Sequence, residues 1–149
     1  MIETRTFTDT LITMLAQATG KPVGEGRRPD GNPSHYYLVR FITRTDDGAP
    51  YTDDNEDAVL TYQIDSVSGP DPETPDSYGT QGQVQWMDDK ARNAILARNP
   101  ATRAWLHDLP LPDGKVIGRR SAGGAGEEPD ASDAIMSSAQ RFAFTATST

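Results

Sequence analysis

The chain has 149 residues, of which 35% are hydrophobic, with no cysteine and a formal net charge of -8. This length predicts one domain, and the low apolar content with 13 Gly and 11 Pro predicts a small core joined by long loops. The missing cysteine excludes disulfides, thiolate metal sites and cysteine nucleophiles. The sequence shows neither a transmembrane run nor a signal peptide at MIETRTFTDT, so we expect a cytoplasmic protein without a membrane partner.

The negative charge is concentrated in one part of the chain. Residues 45–89 hold twelve acids and no Lys or Arg, whereas the rest holds ten acids and fourteen bases. Opposite charges on separate segments can orient a subunit against its own copies or against a partner. Six of the acids lie in residues 43–57 and are our candidates for a loop that faces a partner or a channel: Asp46, Asp47, Asp53, Asp54, Glu56 and Asp57. The simpler interpretation is a solvated loop.

The first predicted element is an amphipathic helix. Its apolar positions recur at helical spacing at Phe7, Leu11, Met14, Leu15 and Ala18. Thr6 and Asp9 are placed as an N-cap and its partner, and Gly20 is placed to end the helix. Residues 21–34 hold three Pro and three Gly, which predicts a long flexible loop.

Two strands are predicted next. HYYLVRFITR, residues 35–44, is rich in aromatic and β-branched residues. In AVLTYQIDSV, residues 58–67, Leu60, Tyr62 and Ile64 point to one side, and the residues between them point to the other. We predict an antiparallel hairpin in which the acidic segment, residues 45–57, is a long flexible loop.

The second half begins with another acidic, Pro-rich flexible loop at residues 68–80. Thr80 and Gln83 then form a capping box for a helix from Gln81 to Arg98, and Pro100 starts a short third helix through Leu106. The apolar stripe of the second helix comprises Val84, Met87, Ala91, Ala94 and Ile95.

The last predicted elements are two strands separated by a flexible loop. KVIGRR, residues 115–120, is a short strand, residues 121–133 are the loop, and QRFAFTATS, residues 140–148, is a strand with Phe142 and Phe144 on one face. The order predicts a single α+β domain over residues 1–149 with a mostly antiparallel sheet of about four strands, flanked by two main helices.

The residues do not form a known catalytic or metal-binding pattern. A calcium loop starting at Asp53 would place Ala58 at the required glycine and Ile64 at the required acid. The two histidines, His35 and His107, have no nucleophile motif near them, and AGGAG lacks the lysine of a phosphate loop. Arg27–Arg28 and Arg119–Arg120 are pairs and not the basic patch of a nucleic-acid-binding protein. We therefore predict no catalytic residue, no metal site and no cofactor.

The order of elements resembles a known family. The N-terminal helix, the strands YYLVRFI and AVLTYQIDSVSG, the helix QVQWMDDKARNAIL and the strand RFAFTATS resemble the tail terminator, or tail completion, proteins of long-tailed bacteriophages. The resemblance covers nearly the whole chain and rests on element order. It implies a non-enzymatic virion protein that forms a hexameric ring on the head-proximal end of the tail tube, stops tube polymerisation and joins the head-tail connector protein.

Under this resemblance the partners are copies of the chain, the tail tube protein and the connector protein, with genomic DNA passing through the ring without specific binding. Assembly would take place in the host cytoplasm. The acidic loop would then orient docking or repel DNA in the channel. Two alternatives remain open: another ring component of the phage neck, such as a head completion or head-tail connector protein, and a small hydrolase or metal-dependent enzyme.

Overall fold

The computed structural model describes residues 2–31, 33–47, 57–71, 73, 79–129 and 135–148, with the side chains of Asp47 and of residues 124–129 left undescribed. Its helices are α1 (Thr4–Thr19) and α2 (Gln81–Leu96), and its strands are β1 (Val23–Glu25), β2 (His35–Asp47), β3 (Asp57–Ser68), β4 (Gly114–Pro129) and β5 (Met136–Ser148). The strands form one sheet in the order β1-β2-β3-β5-β4. The predicted α+β class with two main helices is confirmed.

The sheet differs from the prediction in having five strands and a mixed arrangement. β1 lies parallel to β2, and all other neighbours are antiparallel. β1 falls inside the predicted loop at residues 21–34, where three paired residues are too few to show a period in the sequence. Gly24 permits its close turn, because a Cβ there would lie 2.0 Å from the carbonyl oxygen of Arg27.

Helix α1 buries Phe7, Leu11, Met14 and Leu15 of the predicted stripe, with Ala18 partly buried. It ends at Gly20, whose φ of 71° is the left-handed conformation that glycine favours. The prediction of Thr6 as the N-cap is wrong, because the helix begins at Thr4 after an extended Glu3. Ile2 is buried at this end, which anchors the chain one turn earlier than the capping pattern indicated. Asp9 instead forms an ion pair with Arg5 on the helix surface.

The β2–β3 hairpin is confirmed, but its connecting loop is shorter than predicted. Residues 45–47 pair with residues 57–59 and belong to the strands. Charged side chains at exposed positions do not prevent strand formation when the backbone groups on both sides can pair. The hairpin also contains a bulge at Ile42, between Phe41 and Thr43.

The capping interaction of α2 is confirmed, since the Thr80 hydroxyl accepts a hydrogen bond from the Gln83 N–H at 3.2 Å. The helix ends at Leu96, two residues before the predicted end at Arg98. The short third helix is wrong: residues 98–105 form a turn closed by an isolated bridge between Arg98 and Trp105. The Asn99 side-chain oxygen accepts hydrogen bonds from the N–H groups of Ala101 and Thr102. These bonds take the place of the backbone hydrogen bonds that a helix would form there.

The Gly-rich loop predicted at residues 121–133 is partly wrong, because residues 121–129 continue β4 and pair with β5. Backbone pairing needs no side chain, so a glycine-rich segment can join a sheet despite its low strand propensity. The irregularities at residues 116–118 and 121–126 mark where β4 departs from regular pairing. Residues 130–133, like residues 48–56, lie outside the described part.

Both helices pack on one face of the sheet and form the core with it. The Thr8 hydroxyl lies 2.7 Å from the Tyr62 hydroxyl, and the Tyr37 hydroxyl donates to the Met87 carbonyl at 2.7 Å. Phe7 stacks on Tyr62, and Phe144 contacts both rings. Burial raises the pKa of Tyr62 to about 12, so its hydroxyl keeps its proton at neutral pH.

Candidate functional site

Neither helix packs on the other face of the described sheet, on which Leu38, Val67 and Ala143 are nevertheless buried. On β3 the inward residues Leu60, Tyr62 and Ile64 are fully buried, whereas the alternate residues Thr61, Gln63 and Asp65 remain partly exposed. We call this surface the uncovered face. A half-buried sheet normally carries such polar side chains on its solvent side.

A row of polar side chains crosses the uncovered face. The strand register places Arg40, Gln63 and Arg141 side by side on β2, β3 and β5. Arg40 donates to Asp65 at 2.9 Å, the Gln63 amide donates to Asp65 at 2.9 Å, and Arg141 donates to the Gln63 carbonyl oxygen at 3.2 Å. Each side chain of the row is therefore held in place by a hydrogen bond to its neighbour. As a result, the two guanidinium groups have fixed orientations on the surface of the sheet.

Both long edges of the sheet are open in the described residues. β1 pairs only with residues 37–39 of β2, so residues 40–46 of that strand remain at the edge. At the other edge, β4 pairs with β5 on one side only. Each edge carries an exposed isoleucine at a bulge: Ile42 is 40% exposed on β2, and Ile117 is 50% exposed on β4.

The structure places half of the predicted acidic residues at one end of the sheet. Asp47 and Asp57 are paired by register at the last position of the hairpin, and Asp46 lies beside them on β2. Asp46 also accepts from Arg44 at 2.8 Å, an ion pair that the sequence pattern did not indicate. Asp53, Asp54 and Glu56 lie outside the described residues.

A cluster around Trp105 was not predicted. Arg98 lies 3.9 Å and Arg119 4.8 Å from the centre of the Trp105 ring. Arg119 is only 8% exposed and donates to the carbonyls of Ile95 at 3.2 Å and His107 at 2.7 Å. Burial lowers the pKa of Arg119 to about 10. The only signal of this cluster in the sequence was Arg119, an arginine at an inward position of a strand.

A cavity of about 570 Å³ lies between α1 and residues 106–110. Asp9, Thr13, Gln17, His107 and Asp108 contribute to its lining. It is open and mixed in polarity, and its two hydroxyl groups, those of Thr10 and Thr13, donate to the carbonyls of Pro110 and Asp9. Neither hydroxyl group is therefore described as hydrogen-bonded to His107.

The second histidine, His35, lies at the start of β2. Burial lowers its pKa, and the nearby Lys21 lowers the pKa further. Its Nδ1 is buried without a hydrogen-bond partner among the described residues. Across the described ranges, no group of three or more His, Asp and Glu side chains is placed to hold a metal ion.

A scan against protein-family models matches no family, and a search of curated proteins finds no match. Within the described residues, neither helix has the length and apolar character needed to cross a membrane. The functional assignment therefore rests on the sequence pattern together with the geometry of the uncovered face and the open edges.

Proposed function

We propose that this protein is a structural subunit of a bacteriophage neck ring, most specifically a tail terminator. The ring, a hexamer in the family that the chain resembles, would cap the tail tube, stop its polymerisation and connect it to the head connector protein. Genomic DNA would pass through the channel without specific binding. The protein would be assembled in the host cytoplasm and retained in the virion at the head-proximal end of the tail.

One observation carries the proposal: in the part of the chain that the structure describes, both helices pack on one face of the sheet, and residues 40–46 of β2 and the outer side of β4 have no neighbouring strand. A monomer normally protects its sheet edges with charged residues, with proline or with a covering element. Here the edges carry bulges and charged residues, but they also expose Phe41, Ile42 and Ile117. Such a surface suits a subunit that is completed by its neighbours.

The polar character of the uncovered face also supports a ring with a channel. The Arg40–Asp65–Gln63–Arg141 row keeps this surface hydrated and satisfies its hydrogen bonds internally. The acidic end of the hairpin would add repulsion for a polyanion or a contact for a basic partner.

The runner-up is another ring component of the neck, such as a head completion protein. It would need the same edges and the same open face, so geometry does not separate the two roles. A hydrolase or metal-dependent enzyme is less well supported, because the hydroxyls of Thr10 and Thr13 in the open cavity beside α1 donate to backbone carbonyls and not to His107.

The two neck roles differ in the particle that forms when the protein is absent. In the phage that encodes the chain, a nonsense mutation in its gene should give tails longer than those of the parent and heads without attached tails. Complementation with the intact chain should restore tail length. Electron microscopy measures both. Tails of parental length beside DNA-leaking heads would contradict the terminator role and support a head completion protein.

A further inference from the structure

The cavity beside α1 has one wall formed by two parallel rows of side chains on that helix. Each row repeats every four residues, one row polar and the other largely apolar: Asp9, Thr13 and Gln17 beside Thr10, Met14 and Ala18. The rows extend over about 13 Å of the helix, at a rise of about 1.5 Å per residue. Residues 106–110 form the opposite wall, and the Thr10 hydroxyl joins the two walls by donating to the Pro110 carbonyl at 3.3 Å.

The apolar part of the lining differs in its exposure to water. Met14 is buried, Ala18 is partly buried, and Leu106 is 52% exposed. Covering the exposed surface of Leu106 would be favourable, because removing apolar area from water stabilises a contact. A ligand with an apolar body would therefore lie against Leu106 at the edge of the cavity and against Met14 and Ala18 below it.

The charges in the described lining are of one sign. The lining contains the carboxylates of Asp9 and Asp108 and no Lys or Arg. Asp9 is already in an ion pair with Arg5. Asp108 is exposed and has no ion pair among the described residues, since the buried Arg119 donates to backbone carbonyls and not to Asp108. A cation is therefore the complementary ligand, and Asp108 is the carboxylate that can accept from it.

We propose that the cavity beside α1 receives a basic side chain, Lys or Arg, of a partner protein. The cationic head would lie against Asp108, and the aliphatic stem would lie against Met14, Ala18 and Leu106. Lysine and arginine combine an apolar stem with a charged head, which is the combination that this lining fits. The inference does not depend on the proposed function.

The open form of the cavity favours a protein over a free amine as the source of this cation. A small-molecule pocket usually encloses most of its ligand, whereas this cavity is open to solvent. A free amine would keep much of its surface in water. A side chain that belongs to a larger partner gains further contacts outside the cavity, beginning with the exposed part of Leu106.

Two peptides that differ in one ammonium group test the proposal. They are acetyl-Ala-Leu-Lys-Leu-Ala-amide and the same peptide with norleucine in place of lysine, and hexylamine is the free-amine probe. Binding to the whole, isotope-labelled chain is followed by NMR at low salt. The lysine peptide should shift the amide signals of Thr13, Gln17 and Asp108 and bind about fivefold more tightly than the norleucine peptide. Hexylamine should bind about tenfold more weakly than the lysine peptide.

Asp108→Asn removes the proposed partner of the cation from an exposed position. It should weaken binding of the lysine peptide about fivefold and leave binding of the norleucine peptide unchanged. Asp113→Asn is the matched control, because Asp113 is an exposed acid outside the lining and its loss changes the net charge equally. Thr13→Arg places a guanidinium group of the chain itself at the exposed polar row and should abolish binding of the lysine peptide.

Four results would each overturn the proposal. The first is equal affinity for the two peptides, and the second is an equal effect of Asp108→Asn and Asp113→Asn. The third is hexylamine binding as tightly as the lysine peptide, which would assign the cavity to free amines. The fourth is a lysine peptide that gives no saturable shifts, or shifts only outside the lining. Signals distant from the cavity should stay in place in each variant, which separates lost binding from lost folding.

Discussion

At the scale of single residues, Arg119 joins three parts of the chain. It lies on β4, donates to the Ile95 carbonyl near the end of α2, and donates to the His107 carbonyl beyond the Trp105 turn. The last carbonyls of a helix lack partners within the helix, so Arg119 supplies a donor where one is needed. The cost is a buried cation, which the lowered pKa of about 10 reflects.

Arg119→Met should destabilise the protein by about 1–3 kcal/mol, because two carbonyls lose a charged donor. Arg120→Met is a closely matched control, since Arg120 is the next residue on the same strand and is exposed. It should change the free energy of unfolding by no more than about 0.5 kcal/mol. Urea denaturation measures both variants. Equal costs would show that the Arg119 contacts contribute nothing specific.

At the scale of elements, α2 connects most parts of the core. Its predicted stripe of Val84, Met87, Ala91, Ala94 and Ile95 is buried, as the helical spacing indicated. The helix packs on the sheet through hydrogen bonds from Tyr37 and Gln140 to the carbonyls of Met87 and Asp88. The helix position is thus set by an apolar stripe and by polar contacts that lie beside it.

Ile95→Asp should cost several kcal/mol, because a carboxylate would be placed in a fully buried site without a partner. Asn93→Asp adds the same charge to the exposed side of the same helix and should leave stability nearly unchanged. Thermal unfolding followed by circular dichroism measures the difference. A parental melting temperature for Ile95→Asp would show that the assigned helix face is wrong.

At the scale of the whole molecule, negative charge gathers at one end of the sheet. Asp46, Asp47 and Asp57 lie together there, and the uncovered face carries the cations Arg40, Arg120 and Arg141 on its neighbouring strands. On this face Asp65 accepts a hydrogen bond from Arg40. The charge distribution of the molecule is therefore asymmetric. This asymmetry orients the molecule toward copies or partners.

Neutralising Asp46, Asp47 and Asp57 to Asn should leave folding intact, at a cost below about 1 kcal/mol for the lost Asp46–Arg44 ion pair. Ring assembly and plaque count should change, and the effect should shrink as salt is raised, because exposed charges are screened over about 8 Å at physiological ionic strength. Extending the change to Asp53, Asp54 and Glu56 should increase the effect.

The matched control neutralises three exposed acids elsewhere: Asp30, Asp89 and Asp113. It removes the same total charge, so a general effect of net charge would appear in both variants. Particle yield, tail length and plaque count are compared at low and moderate salt. Unchanged values for the hairpin variant would show that these carboxylates only solvate the end of the hairpin.

The sequence by itself determined the elements that follow a repeating pattern. Burial on one face imposes a period on apolar residues, so the sequence predicted which residues of these elements point inward. These are the apolar stripes of α1 and α2, the alternate residues of β3, and the pair Phe142 and Phe144. The capping role of Thr80 and the left-handed Gly20 were readable for a similar reason, since few residue types satisfy those backbone positions.

Tertiary structure alone decided the features that depend on a distant partner. β1, the ends of the hairpin strands and the glycine-rich half of β4 exist because another strand supplies their hydrogen bonds, and backbone pairing leaves no period in the sequence. The Arg119 contacts and the polar row on the uncovered face likewise join residues far apart in the chain. The open edges at β2 and β4 follow from the strand order, which local sequence patterns do not encode.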